Sequence, residues 1–148
     1  MTSEWADQLV QQRRAKQEQK RIEEETRITD RKRIQTNAEA MWRNIATLVN
    51  QFAKDLNEAW GGYEVTVENT APNEVRVSVD GNIATLKFVP RDQKLHVSFY
   101  GGELNLSVDR HDKLVWQSSA ESSKSWTDEE VAKRTVEYAW RPGNPRAS

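Results

Sequence analysis

Apolar residues recur at intervals of three and four through Ala38, Met41, Ile45, Leu48, Phe52 and Leu56, with Trp42, Val49 and Trp60 beside that stripe. Such spacing gives a helix one broad apolar face. Arg43, Asn50, Lys54 and Asn57 occupy the opposite face, and Gly61-Gly62 closes the element, because glycine adopts the left-handed cap conformation without strain. Leu48 and Phe52 lie centrally on the stripe and are expected to be buried against a sheet.

Beyond Gly62 the period falls to two. Tyr63, Val65 and Val67 alternate with Glu64, Thr66 and Glu68, and Val75, Val77 and Val79 alternate with Arg76 and Ser78. The same rhythm continues through Leu86 and Phe88, then Leu95, Val97 and Phe99, then Leu104, Leu106 and Val108, then Leu114 and Trp116. These segments predict six short strands, each with one buried and one wet face. Asp80-Gly81 is a strong hairpin signal, and Ala71-Pro72-Asn73, Pro90-Arg91-Asp92 and Gly101-Gly102 carry turn chemistry. No link between strands is long enough for a parallel crossover, so the strands form an antiparallel meander. Residues 117–125 read as a polar loop. Thr127 and Glu130 then form a capping-box pattern, flanked by Trp126 and Val131 as a hydrophobic staple, and Pro142-Gly143 ends the short helix that follows.

The segment before the stripe differs. Residues 11–37 contain no glycine or proline and are rich in Gln, Arg, Lys and Glu, which are good helix formers. Their large apolar residues, Ile22, Ile28 and Ile34, are six apart, which does not follow a heptad, so a long coiled coil is not expected in this stretch. A helix from Ser3 to Trp60 would measure about 87 Å, too long to lie wholly on one sheet. Thr29-Asp30 and Thr36-Asn37 are candidate breaks, since these residues favour caps over helix interiors. The expected organisation is a charged helical arm over 1–35, an α+β domain over 36–141 and a loose tail over 142–148. The expected fold class is α+β: a long N-terminal helix, a six-stranded antiparallel meander covered on one face by helices, and a short C-terminal helix.

Composition narrows the functional classes. The 148-residue chain carries a net charge of -1 and contains no cysteine, which excludes disulfides, thiolate chemistry and cysteine zinc sites. No apolar run is long enough for a membrane helix and the first ten residues lack a secretory h-region, so a cytoplasmic protein with no membrane partner is expected. Charge is uneven, with nine basic and five acidic residues between 13 and 33. Arg13, Arg14, Arg31, Lys32 and Arg33 are the candidates for phosphate contact, but interleaved carboxylates oppose that role and no aromatic residue lies between Trp5 and Trp42 for base stacking. Nucleic acid is therefore the weaker alternative.

His96 sits on the wet phase of its strand, and Asp109, Arg110, His111 and Asp112 form a polar turn; neither group defines a catalytic or metal site. No cofactor is expected. Trp5, Leu9 and Val10 form an apolar patch with little local core to join, and Ile22, Ile28 and Ile34 add further anchors. These six residues are the candidate surface for a protein partner, a second copy of the chain included. The leading expectation is a non-enzymatic interaction or assembly module. A small-molecule binder or enzyme with a pocket between helix and sheet is the other alternative.

Overall fold

The computed structural model describes residues 3–98, 102–120 and 124–141. The expectations for Phe99, Tyr100, Gly101, Ser122, Ser123 and the 142–148 tail lie outside these residues. In chain order the elements are α1 (Glu4–Trp60), β1 (Val65–Ala71), β2 (Glu74–Val79), β3 (Asn82–Val89), β4 (Lys94–Val97), β5 (Glu103–Val108), β6 (Leu114–Ser118), β7 (Ser125–Trp126) and α2 (Asp128–Trp140). The chain forms two compact units, Met1–Arg33 and Ile34–Ser148.

Helicity continues through both candidate breaks. Thr29 returns its hydroxyl to the carbonyl of Glu25 at 2.8 Å, so its side chain is satisfied inside the helix instead of capping one.

In the second unit the sheet is an antiparallel meander in sequence order, β1 to β7. It has seven strands, not six. The additional strand pairs Trp126 with Trp116 and Ser125 with Gln117. Two residues are too few to show alternation, and Ser125 reads as part of a polar loop until Trp126 is placed on the core face beside Trp116. Register stacks one buried face across the strands: Val75 opposite Leu86, Leu86 opposite Val97, Leu95 opposite Leu104, and Leu106 opposite Trp116. Asp80 (φ 54°) and Gly81 (φ 85°) both take positive φ, as the tight two-residue hairpin between β2 and β3 requires.

Helix α1 covers that face with Ala38, Trp42, Ile45, Val49 and Ala53, all buried. Trp42 stacks on Phe88 with ring centroids 5.8 Å apart. Leu48 and Phe52 are only half-buried, which corrects their central placement. Helix α2 meets the flank of the stripe: Lys133 lies 5.7 Å from the Phe52 ring centroid, and Trp60 meets Trp140 edge-on at 5.5 Å. The wide apolar face of α1 therefore serves two neighbours, and its centre is rotated toward Ile45 and Val49.

The capping box of α2 forms as its sequence predicts. Thr127 Oγ1 accepts from the Glu130 amide at 3.2 Å, and Glu130 Oε1 accepts from the Thr127 amide at 3.3 Å. Asp128 ties three elements together. Its carboxylate accepts from Trp116 Nε1 at 2.8 Å and from Asn44 Nδ2 at 3.0 Å.

Candidate functional site

Two surfaces stand out, one in each unit. In the first unit no described residue is buried. Trp5 is 70% exposed, Leu9 and Val10 47%, Ile22 51% and Ile28 45%. Five of the six expected partner residues are thus open on a helix that has no core of its own. Ile34 belongs to the second unit, where it packs against the core.

The charges of this helix are partly paired along its own surface. Arg21 bonds Glu18 and Glu25, and Arg27 bonds Glu24. The Glu18 and Glu24 carboxyls are held below the usual glutamate range, first by hydrogen bonds from Arg21 and Arg27 and then by their positive charge. Arg13, Arg14, Arg31 and Lys32 are exposed, and Arg33 is half-buried. Arg14 and Arg31 are separated by about 26 Å of helix, so the five basic candidates do not gather into one patch on this element.

In the second unit, the last turns of α1 meet the free edge of β1. Gly61 (φ 88°) and Gly62 both donate their amides to the carbonyl of Asn57, at 2.9 and 3.1 Å, closing the helix. The Asn57 carboxamide then bonds Val65, donating to its carbonyl at 2.9 Å and accepting from its amide at 2.8 Å. Beside this junction lies an open groove of about 550 Å³ lined by Asn50, Lys54, Asn57, Glu58, Tyr63 and Val67, among others. Tyr63 is 97% exposed at its rim. This is a cleft between helix and sheet of the general kind the sequence allows, but composition alone does not locate it. Its one sequence signal is Asn57, which looks like a solvent-facing residue of the helix until Val65 is placed next to it.

His96 lies on the outer sheet face opposite Lys87 and Glu103. The Asp109 carboxylate accepts from the amides of Lys113 and His111 at 2.9 and 2.8 Å, which holds its pKa below the ordinary aspartate value and fixes the β5–β6 turn. Among the described residues, no three His, Asp or Glu side chains gather where they could hold a metal ion. No helix among the described residues is long and apolar enough to cross a membrane. Comparison with family models, curated proteins and solved structures found no match to this chain.

Proposed function

We propose that this protein is a non-enzymatic interaction or assembly module whose N-terminal arm engages another protein chain. One observation carries the reading: a helix through Arg33 buries none of its residues yet exposes Trp5, Leu9, Val10, Ile22 and Ile28. Helices in water are marginal without packing, and ordering each residue costs about 1–2 kcal/mol of backbone entropy. A second chain supplies the missing contact. Basic side chains of the arm that bond its own glutamates, and the absence of aromatic residues between Trp5 and Trp42, favour protein over nucleic acid.

Hydrogen exchange on the full chain tests this. Amides of the arm should exchange fast in a dilute monomer and become protected when a partner is present. Replacing all five exposed apolar residues by serine should abolish that protection and leave the sheet amides unchanged. Strong protection of the arm in a demonstrated monomer would remove the need for a partner and overturn the reading.

A further inference from the structure

We draw no further inference here: the strongest candidate, the open groove between the last turns of α1 and the free edge of β1, exposes Lys54 and Glu58 as charges of opposite sign beside an edge that Asn57 already covers at Val65, and nothing in the structure shows what would occupy it.

Discussion

The carboxamide of Asn57 takes the place of a strand neighbour for Val65, satisfying its amide and carbonyl at once. Val65 lies on β1, the strand at one end of the sheet, so these groups point away from β2 toward the open edge. A side chain on α1 thereby covers part of an edge that would otherwise offer itself to another chain. At the opposite edge β7 is only two residues long, and short edge strands resist such pairing for want of length.

Asn57→Ala should destabilise the second unit by about 1–3 kcal/mol, since it strands a part-buried amide and carbonyl together. Chemical denaturation measures the loss. The variant should also aggregate faster on mild heating than Lys54→Ala, a neighbouring change that leaves the edge covered. Equal aggregation of the two would deny Asn57 its covering role.

The rotated stripe on α1 makes a ranking. Ile45→Ala should cost about 2–5 kcal/mol because Ile45 is completely buried over the sheet. Leu48→Ala should cost about half as much or less, because its side chain is only half-buried. The reverse order would place the sheet against the Leu48 side of the helix.

Asp128 should matter beyond the start of its own helix. Asp128→Ala removes the acceptor of both Trp116 and Asn44, and Trp116 is fully buried. The expected loss is about 1–3 kcal/mol, accompanied by a change in tryptophan fluorescence. Asp128→Asn retains one acceptor oxygen and should recover a large part of it.

Acid should act on the arm. Glu18 and Glu24 have carboxyl pKa values lowered from 4.5 by Arg21 and Arg27. A lowered folded-state pKa contributes stability that is present above the ordinary value and lost as pH falls through the lowered one. Circular dichroism of the full chain should therefore show helicity steady from neutral pH to near 4.5 and declining below it, with a smaller decline in high salt because these pairs are exposed. Glu18→Gln with Glu24→Gln should flatten that part of the profile.

Phosphate binding by Arg13, Arg14, Arg31, Lys32 and Arg33 should be weak or absent at physiological salt. Titration with duplex and single-stranded oligonucleotides at two ionic strengths decides it. Tight binding that falls steeply with salt and vanishes when Arg31, Lys32 and Arg33 become Glu would replace the protein partner with nucleic acid.

Periodicity along the chain determined the kinds of element and their order. A three-and-four rhythm through Ile45 and a two-residue rhythm from Val65 each express where side chains must point relative to one core, so the 38–60 part of α1 and the first six strands are legible before any contact is known, whereas the continuity of α1 through Thr29 and Thr36 is not. Local chemistry determined the ends, as Thr127 with Glu130 and Asp80 with Gly81 show, because caps and tight turns involve only neighbouring residues. Other features depend on residues far apart in sequence. Trp126 becomes a strand residue only beside Trp116, Phe52 turns toward Lys133 only once α2 is alongside, and Asn57 becomes an edge cover only when the chain returns with Val65. For the arm, the exposed anchors Trp5, Leu9 and Val10 are legible in sequence, because no local core is available to bury them. That Ile34 leaves this set was decided by tertiary structure alone, since its side chain meets a core that does not exist until the strands assemble.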